Sequence, residues 1–373
     1  MIAAVLRPPI KRTTVAEVLA RWQAEGPLVH LPTCFQSLNR ATGGGPVFGS
    51  RWYVMGAPDA SKTLLLTQLA HMWSDEGFTV GMLAVDEEDQ DLVTRIVQRT
   101  PIPRNGGGHF SRTQCEDRDE SDLSLMREAL SFSHIVFYGE ECTIEDAAED
   151  LALLAAEQGH RAILMVDSIQ TVSCAGTKSL AKDAGVREKI TANVRAIRAS
   201  ATKHKMLIMA TSEMNRAAYK AIGASEQNDM AAAKESGAVE YSARVMLALR
   251  NVADEPNCIE VRVVKNKHGP SFPYLEPFYM KIDRARQWLD ERPPPEAGPS
   301  DVEKAVAVVL ASPHGATTED VRKALGRKRE RVEAALSSAA AEGSIRRLNG
   351  SKSPWVRVKP SASAIDADSD EFP

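Results

Sequence analysis

A chain of 373 residues, 43% hydrophobic and 26% charged with a net charge of −4, has room for roughly two soluble domains and no global basic surplus of the kind that marks a dedicated nucleic-acid binder. No apolar run approaches the ~18 residues needed to cross a bilayer, and the opening "MIAAVLRPPIKR" has too short an apolar core for a signal peptide. Five scattered cysteines (Cys34, Cys115, Cys142, Cys174 and Cys258), with no C-x-x-C pair, argue for reduced thiols and against a zinc site, so the expected setting is the cytoplasm, with no membrane partner.

In chain order, "TTVAEVLARWQAEG" puts Val15, Val18, Leu19 and Trp22 on one helical face and forms an N-terminal helical extension over 1–29. The core, 30–290, opens with the turn chemistry of "TGGGPVFGS" and the strand "RWYVM". Strand-like runs then recur at 79–85, 134–138, 162–166, 206–210, 244–249 and 259–264, alternating with helical stretches such as 183–202, where Val186, Ile190, Val194 and Ile197 repeat at helical spacing. This alternation predicts an α/β domain with a largely parallel central sheet. The stretch 104–122 reads as a mobile loop, and "ERPPPEAGPS", 291–300, as a proline-rich linker. Beyond it, 301–359 reads as three helices and a hairpin turning at Asn349-Gly350, the winged-helix order. The acidic tail, 360–373, reads as disordered.

The stretch Gly56-Ala57-Pro58-Asp59-Ala60-Ser61-Lys62-Thr63 lies between the first core strand and the helical run "LLLTQLAHMW". A phosphate loop needs this context. Its backbone N–H groups converge on phosphate oxygens at a helix N-terminus, the lysine reaches the terminal phosphates, and the Ser/Thr hydroxyl binds Mg²⁺. Ser61 stands where the pattern G-x-x-x-x-G-K-[ST] has its second glycine, and an ordinary strand-turn-helix containing Ser-Lys-Thr reads the same way. "AILMVDSIQTV" ends a buried strand with Asp167, placed to hold the water shell of the metal. "GMLAV" ends in "DEED", placing Asp86 and Glu87 where a base could activate water, or simply where a helix dipole favours acids.

Taken together the core resembles the RecA-fold ATPases of the DnaB replicative helicase, RadA and KaiC group. "TCFQSLNRATGGGPVFGSRWYVMGAPDASKT" has the form of that group's entry to the loop, and "LAVDEEDQDLVTRIVQR" resembles the helicase segment with the catalytic glutamate. "VDSIQTV" is similar to the second motif of RadA, "TSEMNR" to the helicase sensor, "KESGAVEYSARVMLAL" to the stretch after it, and "KNKHG" to the finger loop. The similarity spans roughly residues 30–283. It implies a RecA-like P-loop NTPase in which Lys62, Thr63 and Asp167 bind MgATP, and Asp86 with Glu87 beside it supplies the general base. Lys265 and Lys267 would reach the γ-phosphate held by a neighbouring copy, in a hexameric ring or filament. Single-stranded DNA would meet the loops near 173–186 and 216–234, through Lys178, Lys182, Arg216 and Lys220.

Four departures bear on catalysis. Ser61 replaces glycine, at about 1–2 kcal/mol if the position needs positive φ. Asp86 is one methylene shorter than glutamate, Glu213 puts negative charge where the sensor has glutamine, and Lys267 exchanges the finger arginine's planar fork for a point charge. They point to ATP binding with slow hydrolysis.

Residues 318–359 carry eleven basic and five acidic side chains, a local charge of +6, gathered at the third helix and the hairpin around Arg327, Lys328, Arg329, Arg346 and Arg347. A winged helix presents these parts to duplex DNA, whereas a protein-docking module would carry them as a solvated surface. The expected protein is therefore an ATP-binding, DNA-associated motor or helicase of replication, on a plasmid, phage or other mobile element. The alternatives are an ATP-switched DNA-binding regulator with little hydrolysis and a RadA/KaiC-like recombination or repair ATPase without unwinding.

Overall fold

The computed structural model describes residues 12–103, 108–178, 185–213, 237–252, 255–267, 269–271, 274–295, 301–348 and 353–358. The chain divides into two compact units, 1–294 and 295–373.

The first unit is built on a nine-stranded sheet in the order β3-β2-β4-β5-β1-β6-β7-β8-β9. Its parallel part comprises β1 (Arg51–Gly56), β2 (Thr79–Ala84), β3 (Ile135–Tyr138), β4 (Ala162–Asp167), β5 (Leu207–Glu213) and β6 (Val245–Asn251). These strands are near-continuous runs of Val, Ile, Leu and Met because helices cover both faces of the sheet. Trp52 and Val54 point into one apolar cluster, and Tyr53 and Met55 into the other. β7 (Cys258–Asn266), β8 (Phe278–Asp283) and β9 (Trp288–Arg292) continue the sheet antiparallel. The last two are absent from the strand-like runs of the sequence: "FYMKID" is short and alternating, and β9 includes Glu291 and Arg292, the first two residues of the expected linker.

Around the sheet run α1 (Val15–Glu25), α2 (Gln36–Thr42), α3 (Lys62–Asp75), α4 (Asp89–Arg99), α5 (Arg112–Asp117), α6 (Glu120–Ala129), α7 (Ile144–Glu157), α8 (Ala175–Lys178), α9 (Val186–Lys203) and α10 (Gly237–Ser242). The expected loop over 104–122 is corrected in part, since α5 and the start of α6 lie within it. Ser111 and Gln114 form a capping box that starts α5, and Phe110 and Met126 pack with Val97 of α4 into a small apolar cluster. On α9 the helical stripe is buried only in its second half: Val194 and Ile197 are in the core, whereas Val186 is exposed.

α3 is pinned by polar groups as well as by its leucines. Gln68, fully buried, donates to the Leu289 carbonyl (3.0 Å) and accepts from the Leu289 N–H (2.7 Å), so one amide takes the place of a strand neighbour for β9. Arg99 of α4 donates to Thr67 (2.9 Å). His71, also buried, lies 3.5 Å from Asp75, too far for a strong hydrogen bond. Burial and the nearby Arg99 charge push its pKa from 6.5 down to about 4. A depressed imidazole contributes stability that is complete above its unfolded value and is lost as pH falls from 6.5 toward 4, by ~3 kcal/mol at most. Asp75 and Glu76, whose carboxyls burial pushes up, act in the opposite direction. The informative quantity is therefore the difference between two chains. Urea unfolding of His71→Gln should lose less stability between pH 7 and pH 4.5 than the natural chain, and parallel curves would refute the assignment.

The second unit contains α11 (Asp301–Ala311), α12 (Thr318–Leu325) and α13 (Arg329–Ala341), followed by the antiparallel pair β10 (Ile345–Arg347) and β11 (Trp355–Arg357). Val309, Val321, Val332, Leu336, Ile345 and Trp355 belong to its core. Trp355 lies inside the hairpin packing, donating its indole N–H to Thr318 (3.2 Å) and exchanging backbone bonds with Ala316. Gly315 (φ +82°) makes that approach feasible, because a Cβ there would sit 2.4 Å from the Trp355 carbonyl. The turn at Asn349-Gly350, most of the linker and the acidic tail lie outside the described residues.

Candidate nucleotide site

β1 ends at Gly56 and α3 begins at Lys62, with the five loop residues between them. Gly56 is required by close approach: a Cβ would meet the Ala60 Cβ at 2.9 Å and the Leu249 carbonyl oxygen at 3.0 Å. Two other loop residues, Asp59 (φ 61°) and Ser61 (φ 59°, ψ 30°), sit in the left-handed region without being glycines. The condition attached to Ser61 is therefore met, and the substitution carries about 1–2 kcal/mol of backbone strain.

Lys62 is buried, and its ammonium donates to the carbonyls of Ala57 (2.8 Å) and Gly56 (3.2 Å), bending back over the loop. Burial lowers its pKa, and the charges of Glu213, Asp167 and Asp59 oppose that shift. Thr63 donates to one carboxylate oxygen of Asp167 at 2.5 Å. The other oxygen accepts a short hydrogen bond from Thr211. Sequence reasoning did not single out Thr211. Its only signal was a hydroxyl near the end of an apolar strand, and which carboxylate it meets depends on β5 lying beside β4.

Glu213 ends β5 in register with Gly56, so its carboxylate flanks the loop. Of the two candidate bases at the end of β2, Asp86 is exposed and Glu87 half-buried. Arg95 of α4 holds one Glu87 oxygen at 2.9 Å, while the other is buried without a hydrogen-bond partner. Burial raises the Glu87 pKa, Arg95 lowers it, and the Asp167 charge adds to the rise. Both acids line a cavity of about 510 Å³ together with Phe137, Tyr138 and Glu140.

Lys265 and Lys267 lie elsewhere. Register places Lys265 opposite Met246, which pairs with Tyr53, whereas Gly56 shares its row with Leu249 and Val261. Four residues at about 3.3 Å each separate those rows, about 13 Å along the strand and away from the loop. Lys265 donates to the Glu240 carbonyl of its own chain. Lys178 ends α8, and Lys182, Arg216 and Lys220 fall outside the described residues. In the second unit Arg327 faces Asp301 (3.6 Å), Arg329 faces Glu333 (2.9 Å) and Arg347 lies over the Trp355 ring, with Lys328 and Arg346 exposed.

Thr63 and Asp167 are hard oxygen donors already in contact, the set that suits a hydrated Mg²⁺ beside a polyphosphate. Fold and site together define an α/β protein of the RecA-like class, with a strand–loop–helix at the carboxyl end of a largely parallel sheet. Among solved structures, an ATPase domain determined on its own superposes with a TM-score of 0.61 at 16% identity, covering 76% of this chain and 100% of that one. A DnaB-like replicative helicase, solved in a study of its interactions with primase, gives a TM-score of 0.58 at 16% identity, covering 75% of this chain and 67% of that one. At this identity the likeness is one of fold, that of DnaB-like ATPase domains. No family model and no curated protein sequence matches the chain.

Proposed function

We propose that the chain is an ATP-binding, ATP-hydrolysing motor of the DnaB-like kind that acts on DNA, with MgATP held by the loop 56–61, Lys62, Thr63 and Asp167. The observation that carries this reading is the Thr63–Asp167 hydrogen bond, which joins the loop helix to the end of β4 across the site where phosphates would lie. Magnesium, when bound, offsets the charge of the phosphate oxygens. Lys62 is the cation aimed at those oxygens, and Glu87, steered by Arg95, is with Asp86 the candidate for orienting water.

Two features support assembly of copies. Lys265 and Lys267 are too far from their own loop to serve it, so a phosphate contact requires a neighbour's site. α1 buries none of its residues, leaving Val15, Leu19 and Trp22 as an exposed apolar stripe suited to a second copy. Strain at Ser61 and the Glu213 charge beside Lys62 favour a slow cycle, the specific ground for the regulator as second reading. The three helices and hairpin of 301–358 follow the winged-helix order and support a duplex-binding role.

The test is ATP turnover with and without single-stranded DNA, beside light scattering with a non-hydrolysable analogue. Turnover stimulated by DNA, and a particle that grows with nucleotide, are expected. Lys267→Ala should leave nucleotide binding intact and reduce turnover by about 10³-fold. A strict monomer at tens of micromolar protein would remove the role in trans, and binding without turnover would leave the regulator.

A further inference from the structure

Asp167 is held from both sides. Its Oδ2 accepts from Thr63, and its Oδ1 accepts from Thr211 of the adjacent strand, a side chain with no exposed surface. The Thr211 backbone carbonyl also accepts the Ile169 N–H at 3.1 Å. Buried Asn193 of α9 closes the same turn, donating to the carbonyls of Ile169 (3.0 Å) and Val172 (2.8 Å). A carboxylate on a freely rotating χ2 would let either oxygen meet Thr63, or neither. With Oδ1 tied to Thr211, Oδ2 remains on the Thr63 proton. The Thr63 hydroxyl then keeps its lone pairs for a cation, and Asp167 keeps its unused lone pairs for the cation's water.

We propose that Thr211 is a positioning residue for magnesium: its hydroxyl orients the Asp167 carboxylate that links the loop helix to the metal. The proposal rests on the MgATP reading above. Thr211 touches neither nucleotide nor metal and acts through Asp167 alone. Outer partners of this kind, when removed, typically reduce metal affinity or activity 10- to 100-fold. Thr211→Val keeps the side chain's shape and deletes the donor, leaving a buried carboxylate oxygen unsatisfied.

The experiment titrates a fluorescent ATP analogue against the full chain over a Mg²⁺ series and in EDTA. For Thr211→Val the Mg²⁺ concentration giving half of the affinity gain should rise about 10- to 100-fold. Affinity in EDTA should stay that of the natural chain, and Thr211→Ser should restore the Mg²⁺ curve. A natural Mg²⁺ curve in Thr211→Val overturns the proposal. So does an equal loss of affinity in EDTA and in Mg²⁺ that serine does not restore, since that marks packing alone. Should the valine variant fail to fold, Thr211→Cys, similar in volume with a weak S–H donor, makes the same comparison. If the natural chain binds the analogue equally with and without Mg²⁺, the nucleotide-site reading falls together with this one. A Mg²⁺-dependent natural chain with an unaffected variant sinks only the role of Thr211.

Discussion

Lys62→Ala is expected to remove measurable MgATP binding, and Ser61→Gly to strengthen it. Lys62 is buried and has the charges of Glu213, Asp167 and Asp59 around it. Deleting the ammonium leaves those acids facing the phosphates without a counter-charge, a change of ~4 kcal/mol for a buried charged partner, or about 10³-fold in affinity. A micromolar ligand holds only ~8 kcal/mol, so the loss carries binding into the millimolar range. Ser61 acts in the other direction. Its φ of 59° is natural for glycine and strained for serine, and relief of ~1.4 kcal/mol would tighten binding about tenfold if the loop keeps this conformation around phosphate. Isothermal titration on both variants reads the two effects. Unchanged affinity in Lys62→Ala would move the nucleotide site away from this loop.

The second large effect concerns residues 295–373. Deleting them leaves β9, which ends at Arg292, intact. The shortened chain should bind MgATP normally and lose nucleotide-independent binding to duplex DNA. The deleted unit owes its interest to charge, and part of that charge is internally engaged: Arg327 and Arg331 meet Asp301, Arg322 meets Glu319 and Arg329 meets Glu333. Exposed pairs of this kind are worth little in water and exchange readily for phosphate. Neutralising Arg327, Lys328 and Arg329 together should weaken duplex binding and flatten its salt dependence by up to ~0.9 log units per lost phosphate contact. Fluorescence anisotropy on duplex oligonucleotides over a salt series provides the reading. Duplex affinity that survives the deletion, or that ignores salt, would make this unit a protein-docking module.

Much of the site is local in sequence and was readable there. Gly56, Lys62 and Thr63 fall at a strand-to-helix junction because "RWYVM" is an apolar β run and "LLLTQLAHMW" an apolar helical one. The stretch 104–122 was misjudged because its glycines and charges resemble a loop. Only the capping pair Ser111–Gln114 and the packing of Phe110 and Met126 against α4 turn part of it into helix. β8 and β9 were missed because an antiparallel edge extension is defined by its partner strands, and short alternating segments carry no periodic signal of their own.

By itself the sequence determined the alternation of strands and helices, the phosphate-loop residues and the basic character of the second unit, since each depends on neighbours a few positions apart. Tertiary structure decided what depends on strand order and register. It set Thr211 beside Asp167, separated the exposed Asp86 from the Arg95-held Glu87, and placed Lys265 some four residues along the sheet from its own loop. The physical reason is that hydrogen bonds and charge pairs act over a few ångströms, and residues 44 to 104 positions apart reach that range only after the sheet has ordered its strands.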